Sequence, residues 1–421
     1  MSSQVLSRVA FGASGALSLG TSWVLFRDLT DFSQWVAKPS RNAVYNAFQN
    51  RDKYMQACVT GMAVNTASYW LPKKKPVGSP FVWAGVNAVS GVLLFTGYIN
   101  NSMMFRERNN DAMYVSTTQA SHILKPDESM IVTQFEDNPP KSFPDRQIMR
   151  PHIARVGFKK DGTPITIAYC SLTGTGIIYE TPDHPDGTPR DFMVLTQLEN
   201  NLVVLDRSTG AMGHQLNGFS ETKVLEAMGE NDYDKVGHRP STEEFERLGV
   251  KPANEVPSWR MTVESFEKTG QAFKTLYDKL INMVFYVFVE LVAWKPDMPP
   301  VFGTIELKDK RLPTKTRIIG FNVGDDYACV AEDFVKSGKN GTRNMILGGK
   351  PLVASYDKDS DSLGIFVRPS TKAITQPVDV HGKIKGNKNG EKLHRLNTVK
   401  NGVFWFVWVN FFPQTDVNPE K

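Results

Sequence analysis

Cysteine is scarce in this chain. There are three in 421 residues, Cys58, Cys170 and Cys329, far apart and with no Cys-x-x-Cys pair. A disulfide framework and a structural zinc site are thereby excluded as sources of stability. Net charge is also small, a formal +5 from 49 Lys+Arg against 44 Asp+Glu. Residues 1–120 hold 11 of the basic and 5 of the acidic side chains, so the remaining 301 residues sum to −1. A C-terminal part that is neutral in sum counts against a nucleic-acid partner, which needs a basic face on a folded domain. The third glycine and following helix of a dinucleotide loop are missing after Gly174-x-Gly176, so that fingerprint is absent too. With 41% hydrophobic and 22% charged residues, a mainly disordered or collagen-like chain is excluded. The length predicts two or three domains.

Charge is missing altogether from three early stretches. Val9–Phe26 has 18 such residues, Tyr54–Pro72 has 19 and Pro76–Phe105 has 30. A bilayer core is crossed by a helix of roughly 20 apolar residues. The third stretch, with PFVWAGVNAVSGVLLFTGYI, is the strongest and the second is the weakest, because Gln56, Thr60, Asn65 and Thr66 lower its hydrophobicity. Residues 1–106 therefore read as an α-helical membrane region of two or three transmembrane helices. A cleaved signal peptide is the competing reading of Val9–Phe26. Small residues recur at helical spacing: Gly12, Ala16 and Gly20, then Ala57 and Gly61, then Ala84 and Ala88. Such stripes let helices approach closely in lipid, either each other or a partner. Lys73, Lys74, Lys75, Arg106 and Arg108 flank the stretches. They read as a solvated loop or as ligands for anionic lipid head groups. Two spans and three spans give opposite answers under the positive-inside rule, so charge alone leaves the topology open.

Residues 107–126 read as a linker, and 127–417 as a mainly β soluble domain. Short β-rich runs alternate with turn signals: MIVTQF (130–135), ITIAYC (165–170), GIIYE (176–180), FMVLTQL (192–198), NLVVLD (201–206), RIIGFNV (317–323), YACVA (327–331), PLVASYD (351–357), LGIFVRP (363–369) and FWFVWVNFF (404–412). Asp161-Gly162, Asp186-Gly187, Thr209-Gly210 and Asn340-Gly341 read as turns. Two blocks echo each other. Gly162-x-Pro164 matches Gly349-x-Pro351 and Tyr169 matches Tyr356, all at an offset of 187, with Cys170 opposite Asp357. We read this as an internal duplicated β unit. From Met261 to Trp294, apolar residues fall near helical period at Val263, Phe266, Phe273, Leu276, Leu280, Val287 and Leu291, which predicts one long helix. Its second half is short for a span and reads as a core or partner-facing helix.

Chemistry-bearing residues are few. Cys170 ends an apolar strand and would need a base, His214 or His184, to act as a nucleophile. A buried structural cysteine is the commoner reading. His214 lacks a second ligand at i+3 or i+4, so it is a weak metal candidate. Asp206-Arg207 reads as an ion pair pinning the Ser208-Thr209-Gly210 turn. Asp357, Asp359 and Asp361 alternate as in a calcium loop, but Ser362 and Arg368 occupy positions that need Gly and Glu.

Several of these residues resemble a bacterial domain family of unknown function. The likeness rests on Tyr169-Cys170, Asp206-Arg207-x-Thr209, Gln215, Gly218 and Pro413-x-Thr415, and spans about Asp127 to Val417. The family carries a Tyr-Cys-Pro-Leu-Cys-type motif and a later Tyr-Asp-Arg-x-Thr motif. Thr173 stands in place of the second cysteine, Leu205 in place of the tyrosine, and an insertion occupies about 221–260. The resemblance implies a fold but no activity, and the lost cysteine removes a dithiol or a two-ligand metal clip.

The resulting expectation is a non-catalytic accessory subunit of a multi-subunit membrane complex, touching other subunits and anionic lipids and needing no cofactor. The mitochondrial inner membrane respiratory chain is the expected setting, resting on absent disulfides rather than on a targeting motif. A bacterial cell envelope is the alternative. The rival function is a membrane-anchored enzyme, redox or metal protein using Cys170.

Overall fold

The structure is a computed structural model that describes residues 3–72, 80–100, 107–108, 114–122, 124, 129–133, 141–149, 151–158, 162–217, 251–252, 265–267, 283–301, 309–387, 392–396, 398–399 and 402–419. The chain divides into two compact units. One comprises Met1–Phe105 with Leu195–Leu198 and Phe302–Thr304; the other holds the rest.

The first unit is built from helices α1 (Ser3–Leu29), α2 (Arg41–Gln49), α3 (Arg51–Trp70) and α4 (Pro80–Leu94), the last running on through a π-helical stretch to Asn100. Ser40 caps α2 by accepting from Ala43 N at 3.2 Å. Val5–Leu29 and Pro80–Tyr98 are long and apolar enough to cross a membrane. The inward face of α1 is a line of small hydroxyl residues, with Ser14, Ser18 and Ser22 buried. Their hydroxyls donate to their own helix carbonyls, as Ser14 Oγ does to Ala10 O at 2.6 Å and Ser22 Oγ to Ser18 O at 2.7 Å. Gly61 of α3 rests on this line, where a Cβ would stand 2.9 Å from Ser14 O.

Of the expected small-residue stripes, that of Ala57 and Gly61 takes part in this contact through Gly61. Gly12 and Gly20 have nothing within 4 Å of a Cβ position, and Ala16, Ala84 and Ala88 are exposed. Serine is as small as alanine and donates back to its helix, so the serine face closes against α3 instead. Lys73, Lys74, Lys75 and Arg106 lie outside the described residues, and only the backbone of Arg108 is described.

The second unit is mainly β. Its strands include β1 (Met130–Thr133), β2 (Lys141–Pro144), β3 (Ile153–Phe158), β4 (Pro164–Cys170), β5 (Thr175–Glu180), β6 (Phe192–Leu198, whose last four residues belong to the first unit), β7 (Asn201–Asp206) and β8 (Ala211–His214). They continue with β9 (Arg317–Val323), β10 (Asp326–Ala331), β11 (Thr342–Leu347), β12 (Lys350–Asp357) and β13 (Ser362–Val367). Strands β3, β4 and β5 form an antiparallel meander, as do β11, β12 and β13.

The duplication is visible as repeated element order. A two-stranded pair, a short helix and a three-stranded meander occur twice: β1, β2, α5 (Asp145–Ile148), β3 to β5, then β9, β10, α7 (Glu332–Lys336), β11 to β13. The hairpin registers coincide at the offset of 187. Ile165 pairs Glu180 and Cys170 pairs Thr175, while Leu352 pairs Val367 and Asp357 pairs Ser362. Each four-residue connection ends on a left-handed residue, Gly174 (φ 65°) in the first and Asp361 (φ 47°) in the second. Each half has its own core. Ile131, Phe143, Ile148, Ala154, Ile165 and Ile167 centre the first; Ile319, Val330, Leu352 and Ile365 are among those centring the second.

Three expectations are corrected. The long helix over Met261–Trp294 is not formed as such. Ser265–Glu267 is a strand paired with Tyr114–Ser116, and the described helix, α6, is Met283–Ala293. Residues 268–282 lie outside the described set. The aromatic run FWFVWVNFF is not a strand either. Only Val403–Phe404 is extended, and Trp405–Phe411 forms helix α8. Aromatic and β-branched propensity is overridden there by burial, since Trp405, Phe406, Val407, Trp408 and Phe411 are all buried. Trp408 lies on Gly320, where any Cβ would be 2.4 Å from the indole. Within the expected linker, Glu107–Arg108 pairs with β3 and Tyr114–Ser116 is the strand just described. The insertion at about 221–260 falls outside the described residues, apart from the strand Lys251–Pro252.

Candidate functional site

The β4–β5 hairpin carries the residues that the sequence singles out. Each strand is buried along its whole length. Alternation sends Ile165, Ile167 and Tyr169 to one face and Thr166, Ala168 and Cys170 to the other.

On the first face Tyr169 joins the apolar core of its half. Burial, followed by the negative charge of Asp145 at the start of α5, pushes its phenol well above its ordinary pKa. His152 is buried beside it, with Nδ1 3.3 Å from Tyr169 O and the ring edge-on to Phe285 at 5.8 Å. His152 holds a left-handed backbone, φ 65°, which a β-carbon disfavours.

Gln215 fixes the Cys170 end of the hairpin. Its Nε2 donates to Ala168 O at 2.7 Å and Thr175 O at 3.0 Å. Its own carbonyl accepts from Tyr179 Oη at 2.5 Å, and Asn201 Nδ2 donates to its Oε1 at 3.4 Å. This bracket brings the segment containing His214 to the corner where Cys170 lies. Both residues are fully buried at 0% exposure, and the His214 ring packs on Phe411 at 5.1 Å.

The connection after Cys170 is equally enclosed. Thr173 and Thr175 hydroxyls meet at 2.9 Å. Ser171 O accepts from Trp294 Nε1 at 2.6 Å, and Thr173 O accepts from Phe404 N at 3.3 Å. A Cβ on Gly174 would stand 2.9 Å from Gly402 O, so the glycine is required by both its conformation and its surroundings. The buried Lys315 ammonium donates to Val292 O, Ala293 O and Lys295 O at 3.3, 2.7 and 2.9 Å. It thereby caps the end of α6 that delivers Trp294, and desolvation lowers its pKa.

A second cluster forms at the β7 turn. Asp206 is buried and accepts His184 Nε2 at 2.7 Å, Ser208 Oγ at 2.5 Å, Ser208 N at 3.1 Å and Asp191 N at 3.2 Å. Arg190 stands 3.6 Å from it. The expected Asp206–Arg207 pair is not made: Arg207 reaches Asp191 instead, at 2.8 and 2.7 Å. Asp206 still pins the turn, through backbone amides and His184. That placement also removes His184 as a base for Cys170. Ser208, His184 and Asp206 are the residue types of a hydrolytic triad, but His184 presents the same nitrogen, Nε2, to both partners. A base relay needs opposite ring nitrogens, so the cluster is a structural knot.

The alternating aspartates lie at the β12–β13 turn, the counterpart in the second half of the connection after Cys170. Asp357 and Asp359 pair with Lys385 at 3.5 and 2.7 Å, and Asp361 accepts from Tyr356 Oη at 2.7 Å. Among the described residues no group of three or more His, Cys, Asp or Glu side chains is arranged to hold a metal ion. Gly174-x-Gly176 sits in a β-hairpin, not between a strand and a helix. The sequence reading missed Asp145, His152 and Trp294. The first two have counterparts Glu332 and Lys339 at the repeat offset, but nothing local announces them.

One family profile, described as a protein of unknown function (DUF3179), matches residues 110–231 and 254–415. The chain belongs to that family. No curated protein and no solved structure matches it.

Proposed function

We propose that this chain is a membrane-anchored, non-catalytic accessory subunit of a multi-subunit membrane complex. The inner mitochondrial membrane and its respiratory chain are the setting in which it should be sought first. One observation carries the reading: the hairpin bearing Cys170 is closed on every described side. Gln215 brackets it, Trp294 and Phe404 hold its connection, and Cys170 and His214 are fully buried. A reactive thiol needs access and an activating neighbour. A closed hairpin contributes stiffness instead. The apolar α1 and α4 supply the anchor. Helix α6 leaves Met283, Val284, Val287 and Leu291 exposed, apolar area of the kind that subunit contacts cover.

The Cys170→Ser variant tests this directly. The thiol and hydroxyl are close in size, so the variant is expected to enter the same assembly at wild-type level and to leave the activity of the membranes that contain it unchanged. Loss of a membrane activity with assembly intact would establish the rival reading, an enzyme or redox protein built on Cys170.

A further inference from the structure

We infer that α3 is a third membrane-crossing helix, antiparallel to α1 and α4, and that this fixes the topology of the chain. The inference rests on the membrane reading of α1 and α4. Those two helices run parallel. Ser90 Oγ donates to Ser18 Oγ at 3.2 Å. A Cβ on Gly15 would meet Val86 at 3.5 Å, and one on Gly97 would meet Leu25 C at 2.5 Å. Later residues of α1 thus face later residues of α4. Two helices that cross a bilayer in the same direction require one return crossing between them. At 1.5 Å per residue, the nine residues of α2 reach only about 14 Å, whereas the uncharged part of α3, Tyr54–Trp70, reaches about 26 Å, most of the roughly 30 Å hydrocarbon core.

Helix α3 makes the contacts of a return crossing. Its end meets the start of α1, where Ser7 Oγ donates to Ser68 O at 2.9 Å and the Phe11 and Tyr69 rings lie 5.8 Å apart. Its beginning meets the end of α4, where Tyr98 Oη donates to Asp52 Oδ1 at 2.6 Å. Between these ends, Trp83 Nε1 donates to Thr66 Oγ1 at 3.2 Å.

Low hydropathy makes α3 the weakest of the three uncharged stretches, and the structure shows where that polarity goes. Asn65 is fully buried. Its Nδ2 donates to Phe11 O, and its Oδ1 accepts from Asn87 Nδ2, each at 2.9 Å. Cys58, Gly61 and Tyr69 share the buried side with it. Beyond the exposed Asp52 and Lys53 at the start of α3, the opposite side exposes Val59, Ala63, Val64, Ala67 and Trp70, with Gln56 and Thr60 the polar exceptions. An apolar outside around hydrogen-bonded polar residues is how a helix bundle sits in lipid. The outer face of α3 is therefore a bilayer contact.

Three crossings put Arg8 and Lys73–Lys75 on one side. Arg27, Lys38, Arg41, Arg51 and Lys53 are on the other, with Arg106 and Arg108, where the chain leaves α4 for the β unit. Lys and Arg accumulate on the second side, which the positive-inside rule makes the cytoplasmic or matrix side.

Membrane-impermeant maleimide labelling of the full-length chain in sealed, uniformly oriented vesicles tests the assignment. The substitutions are Ser3→Cys, Ser40→Cys, Lys74→Cys and Ser370→Cys, one at a time; the three native cysteines are buried and give low background. The expected result is that Ser40→Cys and Ser370→Cys are labelled from the inner side, and Ser3→Cys and Lys74→Cys from the outer. Labelling of Lys74→Cys from the same side as Ser40→Cys would overturn the third crossing. The reverse sidedness at all four positions would overturn the orientation. Release of the chain by alkaline carbonate would instead overturn the membrane reading beneath both.

Discussion

Asp206 illustrates how much a single buried carboxylate decides. It gathers two backbone amides, a hydroxyl and an imidazole. Asp206→Ala would leave these donors without an acceptor, at a cost of about 3 kcal/mol. Arg207 holds an exposed pair with Asp191, side chains 41% and 43% exposed, so Arg207→Ala should cost under about 1 kcal/mol. Denaturant melts of the two variants check the ranking, and equal losses would refute it. Asp31 lies beyond the apolar part of α1. Its Oδ1 accepts Thr196 Oγ1 and Gln197 N, each at 2.8 Å, and Gln34 Nε2 donates to Gln197 O. Burial pushes Asp31 up to about 6, against the opposing pull of those donors. A raised carboxyl favours the folded state fully below its ordinary value near 3.8, and that contribution is lost as pH rises through about 6. Asn at this position keeps an oxygen acceptor and removes the buried charge. Asp31→Asn should therefore gain stability relative to wild type between pH 4 and pH 7. Thermal midpoints across that range would contradict this if the two proteins moved in parallel.

At the scale of elements, the closed hairpin depends on α6 and its cap. Lys315→Met keeps length and apolar bulk but withdraws the donor from three carbonyls, at about 1–3 kcal/mol. Hydrogen exchange should speed at Val289–Trp294 and at the Ser171–Gly174 connection together. Faster exchange at α6 alone would show that Trp294 does not hold the hairpin. The strands themselves were legible. FMVLTQL, NLVVLD and RIIGFNV are β6, β7 and β9 end to end, because β-branched runs bounded by turn residues carry their own boundaries. The repeat was legible through Gly-x-Pro and Tyr at one offset. Helix α8 was not, since an aromatic run buried on all sides has no period to read. Nor was the strand at Ser265–Glu267, whose partner Tyr114–Ser116 is remote in sequence. At the candidate site, Cys170, His214 and Asp206 were identifiable by type. The bracket made by Gln215 and the hydrogen bond from Trp294 depend on chain crossings that no local pattern encodes.

For the molecule as a whole, the basic excess of the first 120 residues and the neutrality of the rest describe two environments rather than one charged protein. Among the described helices charge lies at the ends, with Asn65 and the α1 serines turned inward, while the β unit repeats one order of elements and buries Cys170. The most direct test is native-gel electrophoresis of mildly detergent-solubilised membranes, with mass spectrometry of the band that contains this chain. The account predicts co-migration with a fixed set of membrane proteins, retained in Cys170→Ser. Migration of the chain by itself, as a monomer or a homo-oligomer, would contradict it.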